Sequence, residues 1–155
     1  MVQSSDHRLS ACALCCVDDT EEIIVSTPDW RVVLVDDAAF PGFCRVIRQA
    51  HAQEMTDISP PERTALMDVV WAVEAAIRSV MQPDKINLAS LGNMVPHVHW
   101  HVIPRFRDDS HFPNPIWGQA ERVATVAALA QRRALLPALR MAIVAGIGHR
   151  YDVLN

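Results

Sequence analysis

Residues 97–103 read His97-Val98-His99-Trp100-His101-Val102-Ile103. Strict alternation over that length is the period of a β-strand, whose successive side chains point to opposite faces. It puts the three imidazoles of the segment on one face and Val98, Trp100 and Val102 on the other. The apolar face demands a core, so this chain must build a sheet whose second face accommodates a row of histidines. Such a row is poor core material, because each ring nitrogen needs a partner once it leaves water. At neutral pH the row can bind a metal, carry protons or attack an electrophile. The bland alternative is a half-exposed strand that happens to be rich in His.

The remaining sequence supplies partners for this strand. Glu22 to Ser26 and Trp30 to Val35 are short β-branched runs split by the turn residues Thr27-Pro28-Asp29, which predicts a hairpin. Asp36-Asp37 and Pro41-Gly42 bracket a loop before a third strand, Phe43 to Ile47. Ser59-Pro60-Pro61-Glu62 is a helix start, with Ser59 at the cap, Pro60 in the first turn and Glu62 closing a capping box. Leu66, Val69, Val70, Val73, Ile77 and Val80 then recur at helical spacing until Pro83. Lys85 to Leu91 reads as the strand before the histidine segment, with Gly92-Asn93 between the two. Gln119 to Leu136 reads as a second amphipathic helix that Pro137 interrupts, and the last eighteen residues carry no clear period. Strands, helix, strands and helix in that order give an α+β class with a mostly antiparallel sheet, one long central helix and a C-terminal helix.

Composition narrows the class of protein. With 155 residues, half of them apolar and 21% charged, the chain suits one globular domain over 1–155. A net charge of -4 argues against wrapping nucleic acid, while leaving room for a small phosphorylated ligand at one basic or amide-rich spot. The longest apolar run, the eight residues Met141 to Gly148, is far short of a bilayer span. Leu9-Ser10-Ala11-Cys12 imitates a lipoprotein cleavage box, but Ser4, Ser5, Asp6, His7 and Arg8 leave no hydrophobic stretch ahead of it. No signal peptide is therefore expected, and the expected compartment is the cytoplasm. Four Cys in a reducing compartment suggest a metal, or chance, before disulfides.

The pattern His-apolar-His-apolar-His-apolar-apolar, continued by Pro104-Arg105, resembles the signature of the histidine triad (HIT) superfamily of nucleotide hydrolases and transferases. The order of elements from the hairpin through the long helix to the motif strand is similar as well. The resemblance is strongest over residues 12–107 and leaves 108–155 as a C-terminal extension. Leu88 to Pro96, with Pro115-Ile116-Trp117-Gly118 after it, looks like a bacterial subgroup of short HIT proteins. The resemblance implies a HIT-like fold and attack by His99 on the α-phosphorus of a nucleotide, giving a nucleotidyl-histidine that water hydrolyses. His101 and backbone carbonyls would hold one His99 ring nitrogen protonated so that the other is free to attack.

Asn93 and backbone amides are candidates for the phosphate oxygens. Better-known members carry a Gly-Gln stretch in a longer loop there, which bears on substrate identity more than on reaction type. Asp36, in preference to Asp37, falls where the family places an acidic residue on the ribose; both also suit a solvated turn.

Cys12 and Cys15 form a C-x-x-C pair, weak by itself. The resemblance implies a structural zinc on Cys12, Cys15, His51 and His97, four N/S ligands with no open position. Cys16 is an alternative to Cys15, His51 is alternatively a surface residue or a polar contact to the triad, and Cys44 reads as an ordinary buried thiol. Trp30, Met67 and Trp71 read as core, although Trp71 also offers interface surface. Trp117 reads as a pocket wall or a dimer contact. His7, His111 and His149 receive no function. The expected partners are a small nucleotide (a dinucleoside polyphosphate, a nucleoside phosphoramidate or an adenylylated adduct) and a second copy in a homodimer, with neither nucleic acid nor membrane. Two competing readings remain open here: a zinc-dependent hydrolase with the His row as ligands, and a non-catalytic nucleotide-binding module.

Overall fold

A single five-stranded sheet in the order β1-β2-β3-β5-β4 organises the chain, and every neighbouring pair is antiparallel. The computed structural model describes residues 9–148, so His7 and His149 lie outside the described residues. The strands are β1 (Glu22–Ser26), β2 (Trp30–Leu34), β3 (Cys44–Arg48), β4 (Lys85–Ala89) and β5 (His99–Arg105). Helix α1 spans Pro60–Met81, α2 Val126–Ala134 and α3 Leu136–Gly148. This is the expected α+β, HIT-like architecture.

Alternation sorts the strands into two faces. Val32, Leu34, Cys44, Val46 and Val102 point into one cluster with the α1 stripe Leu66, Val69, Val70, Val73 and Ile77. Leu139, Ile143 and Ile147 of α3 join the same core. Each such side chain contributes about 1.5–3 kcal/mol by leaving water. Helix α1 begins at the expected place: Glu62 accepts hydrogen bonds from the Ser59 backbone N–H at 3.0 Å and the Ser59 hydroxyl at 2.6 Å. It ends at Met81, where Gln82 turns left-handed and donates back to the Arg78 carbonyl before Pro83.

Several boundaries differ from the sequence reading. Strand β4 stops at Ala89, two residues short of the expected Leu91. Strand β5 starts at His99, not His97, and continues through Pro104 to Arg105. A proline is tolerated there because the pairing with β3 ends at Val102. The expected helix Gln119–Leu136 is only Val126–Ala134. Residues ahead of it are held as loop, with the N–H groups of Glu121 and Arg122 both donating to the Ser110 carbonyl. Thr125 then caps α2 by accepting from Ala128 N–H. Past Leu135 the chain enters a further helix, α3, in the stretch that had shown no clear period, and Pro137 occupies its first turn, where a missing N–H costs nothing. Trp71 corrects the core reading: it is 53% exposed on α1, while Trp30 is buried and Met67 packs partly against the core.

Candidate active site and metal centre

The second sheet face carries the polar residues. From β2 it presents Arg31 and Val33, from β3 Arg45 and Ile47, and from β5 His99, His101, Ile103 and Arg105. The segment before β1 covers one end, where Cys12, Leu14 and Cys15 pack on Val33 and Ile47. The loop after β5 covers the other, and Ile116 packs against the Phe40, Phe43 and Ile103 cluster.

At the first end a turn, closed by the Cys15 N–H donating to the Cys12 carbonyl, brings two thiols to one side. His97, just before β5, and His51, just after β3, meet them there. The Cys12 sulfur lies 3.4 Å from His97 Nδ1, and the Cys15 sulfur lies 3.4 Å from His51 Nδ1 and 3.5 Å from His97 Nδ1. All four ligand atoms fall within 4.8 Å of one another. Bond lengths of 2.0–2.3 Å to a tetrahedral zinc put neighbouring ligand atoms about 3.5 Å apart, so the donor set fits that ion. His97 fits in a further respect. Its Nε2 lies 2.7 Å from the Arg48 carbonyl oxygen. A carbonyl only accepts, so Nε2 carries the proton and Nδ1 turns its lone pair to the sulfurs. Cys16 is exposed and stands apart from this group. Cys44 is the ordinary thiol expected, pushed up to about 12 by burial.

Two residues along, His99 Nδ1 lies 2.6 Å from the carbonyl oxygen of His97. The same logic assigns the proton to Nδ1 and leaves Nε2 with a free lone pair. Burial pulls the His99 pKa down, against the His97 hydrogen bond that raises it, and the nearby Arg45 charge lowers it further. His101 is pushed down to about 4 by burial, then by His99 and Arg45. Both rings are thus neutral at pH 7. The His99 proton is fixed by a backbone carbonyl rather than by His101, which meets His99 edge-on at 4.8 Å. Trp117, itself exposed, stands edge-on to His101 with ring centroids 5.0 Å apart.

Asp36 lies at the end of β2 and lines a groove with Thr20, Glu21, Val33, Val35 and Arg45. Asn93 is exposed on the loop joining β4 to β5. His111 packs on Phe40, with ring centroids 5.3 Å apart. Asp108 and Asp109, the acids nearest the triad in sequence, are engaged elsewhere, with Arg132 and Arg105 respectively. Among the described residues the group able to hold a metal is Cys12, Cys15, His51 and His97, and it does not include His99 or His101.

Of the three arginines of this face, Arg31 and Arg45 were not singled out in the sequence, and Arg105 entered only as part of the motif. Arg31 is fully buried and donates to Glu21, the Leu14 carbonyl and Gln49. Arg105 is fully buried too and donates to Asp109, Asn87 and the Asn114 carbonyl. Arg45 is half-buried, and its Nε has no hydrogen-bond partner. The signal available beforehand was a basic residue at an inward position of each of three strands, which composition and motif searches pass over.

The HIT domain family matches residues 18–108 of this chain. An asymmetrical bis(5'-nucleosyl)-tetraphosphatase of Schizosaccharomyces pombe is 31% identical over 87 residues, 53% of this chain and 48% of that protein. An AP-4-A phosphorylase of Mycobacterium tuberculosis is 27% identical over 84 residues, 50% of this chain and 43% of that protein. The chain thus spans about half the length of these curated relatives. Among solved structures, a histidine triad protein of Bradyrhizobium japonicum superposes with a TM-score of 0.65 at 31% identity, covering 79% of this chain and 90% of that one. A zinc-bound histidine triad family protein of Mycobacterium smegmatis shares the fold with a TM-score of 0.61 at 19% identity, over 90% of this chain and 98% of that one. With His99 and His101 on β5, His97 just before it and more than half its length matched, this chain belongs to the HIT domain family.

Proposed function

We propose that this chain is a nucleotide phosphohydrolase or nucleotidyl transferase working through a covalent nucleotidyl-histidine on His99. The observation that carries the reading is the 2.6 Å contact from His99 Nδ1 to the His97 carbonyl. It holds a neutral imidazole in the one tautomer whose Nε2 lone pair can attack. Attack on the α-phosphorus forms a P–N bond and breaks the bond to the leaving group, which departs with the electron pair and takes a proton from water. Water then attacks the same phosphorus, the P–N pair returns to Nε2, and a nucleoside monophosphate is released with one proton. In this reading neutral His101 completes the wall beside the reacting atom, Asp36 meets the ribose and Asn93 meets the phosphate oxygens. The two relatives named for dinucleoside polyphosphate chemistry support an adenylylated substrate.

Cys12, Cys15, His51 and His97 hold a structural zinc in the same reading, supported by their geometry and by the zinc-bound relative. When bound, zinc closes a four-ligand site and supplies folding energy rather than a reacting oxygen. A homodimer is part of the proposal, supported by β4 as an edge strand and by the exposed Trp71. A cytoplasmic location also belongs to it, because a reducing compartment keeps the Cys12 and Cys15 thiols free to bind zinc. No helix among the described residues is long and apolar enough to cross a membrane.

The test is incubation with adenylylated compounds, read by intact-protein mass spectrometry and by nucleoside monophosphate release. Wild type is expected to show a nucleotide adduct on His99. His99→Ala is expected to lose about 10⁴-fold or more in turnover with its melting temperature held. Turnover near wild type in that variant would remove the nucleophile from the proposal.

A further inference from the structure

We infer that Arg45 is a phosphoryl-binding residue of the nucleotide site, and that its guanidinium, with no hydrogen-bond or ion-pair partner among the described residues, is the fixed positive charge which selects phosphorylated over unphosphorylated ligands. The inference rests on the proposed function for the identity of its probes.

Three arginines share one face of the sheet. A buried guanidinium is tolerated when its donors are met, and Arg31 and Arg105 satisfy that rule with carboxylates and carbonyls. Arg45 stands between them and breaks it. Its Nε is buried with no hydrogen-bond partner, and among the described residues no carboxylate forms an ion pair with it. The nearby acid, Glu21, is already held by Arg31 through Nε at 2.8 Å and Nη2 at 3.0 Å, and Glu22 is taken by Arg140. Phe43 lies beneath the guanidinium, its ring centre 5.6 Å from the guanidinium carbon.

Position decides what the free charge can meet. Arg45 pairs across the strands with His101, which sets their Cβ atoms about 5 Å apart on the same face. On its other side it lines the groove that contains Asp36. The guanidinium therefore sits between the residues proposed for the ribose and for the reacting phosphorus. Among the described residues, the other buried side-chain nitrogen left without a partner is Nδ1 of His101, its cross-strand neighbour. Two adjacent orphaned nitrogens at one spot describe a site shaped for oxygen atoms that a ligand brings. A planar guanidinium with several donors matches phosphoryl oxygens, and such charge-assisted bonds are about twice as strong as neutral ones.

Isothermal titration of wild type, Arg45→Met and Arg45→Lys with adenosine, AMP and ADP tests this. Arg45→Met is expected to weaken AMP by roughly tenfold to a hundredfold while adenosine stays within about twofold. Arg45→Lys is expected to fall between, because charge is kept and the fork is lost. A loss seen with ADP but not AMP places the charge on the phosphate beyond the one at His99, and still supports a phosphoryl subsite. Equal losses for adenosine and the nucleotides, or no loss for any, overturn the inference, as does a wild type that binds AMP no better than adenosine. Thermal melting separates this from a structural role. Arg45→Met is expected to melt at or above wild type, since it removes a half-buried charge without a partner, whereas a structural Arg45 requires a lower melting temperature in both variants. If Arg45→Met does not fold, the structural role stands and the inference fails. A wild type that binds AMP through Arg45 yet never forms an adduct on His99 would sink the proposed reaction and leave the subsite intact.

Discussion

One face of the sheet under α1 and the opposite face are cut from the same strands, yet they solve different problems. The α1 face is apolar: Val32, Val46 and Val102 have 0% exposure and ask nothing of their neighbours but contact. The other face buries histidines and arginines, and each polar atom there must find a partner or wait for one. Its two ends and its middle differ in that respect. At one end His97 spends one nitrogen on the Arg48 carbonyl and turns the other to two thiols. At the other end Arg105 and Asp109 satisfy each other. Between them, Arg45 Nε and His101 Nδ1 are left unpartnered. The lesson is that completed polar groups build the scaffold of the site, and incomplete ones mark where a ligand belongs.

The sharpest way to break that comparison is to undo the metal end. His97 joins the two regions, because its side chain belongs to the ligand group and its carbonyl fixes the His99 tautomer. Protein purified without added metal is expected to hold one zinc per chain, and Cys12→Ser with Cys15→Ser to hold none. A closed structural site contributes folding energy, so removing it is expected to lower the melting temperature by about 10 °C or more. A chelator titration read in parallel by melting and by turnover is expected to show structure failing first and activity following. Activity vanishing while the melting temperature stands still would instead support a catalytic zinc on the His row.

An effect of comparable size is expected at the opposite end. Asp109 accepts from Arg105 Nε at 2.8 Å and from the N–H groups of Phe106, His111 and Phe112. Asp109→Ala strands a buried guanidinium and frees the loop that carries Trp117, at a cost of about 3–5 kcal/mol. Burial raises the Asp109 pKa, but the Arg105 bond and the three amides outweigh it and hold the carboxyl below its usual range. A depressed folded pKa stabilises above the unfolded value of about 4 and loses that stability as pH falls below it. Urea melts from pH 6 to pH 2 are therefore expected to show a shallower acid decline in Asp109→Ala than in wild type. Parallel profiles would separate Asp109 from the acid sensitivity.

Where the sequence was legible, a period or a cap made it so. The Thr27-Pro28-Asp29 hairpin, the Ser59 to Glu62 start of α1 and the alternation in β5 each follow from local rules. The metal group was half legible: C-x-x-C is visible locally, but His51 joins it only because β3 and β5 are neighbours in space. Arg45 was not legible, because a charge in a strand looks like a surface residue until a loop folds over it, and Asp109 was not, because an acid in a turn looks solvated. Trp71 misled for the reverse reason. It follows Val70 by one residue, a rotation of about 100° that carries it off the buried stripe. The 119–125 stretch lost its helix to tertiary bonds, since Arg122 donates to the carbonyls of Asp109 and Phe112.

The smallest expected effect is the most discriminating for the middle of the face. His101 touches His99 edge-on at 4.8 Å, and its Nδ1 has no hydrogen-bond partner. It neither fixes the His99 tautomer, which the His97 carbonyl does, nor supports the fold through a polar bond. Besides leaving Nδ1 open to a ligand oxygen, it forms a wall: it lies between the His99 ring and Trp117 and limits how the His99 ring can tilt. Replacing it by Ala opens that side, so the lone pair still exists but points correctly less often. Misorientation of this kind costs about tenfold to a hundredfold in nucleotide release. The melting temperature is expected to move little, because no partner is stranded. A loss as deep as that of His99→Ala, with the fold retained, would show that His101 takes part in bond making, and the division between a partnered nucleophile and an unpartnered neighbour would no longer hold.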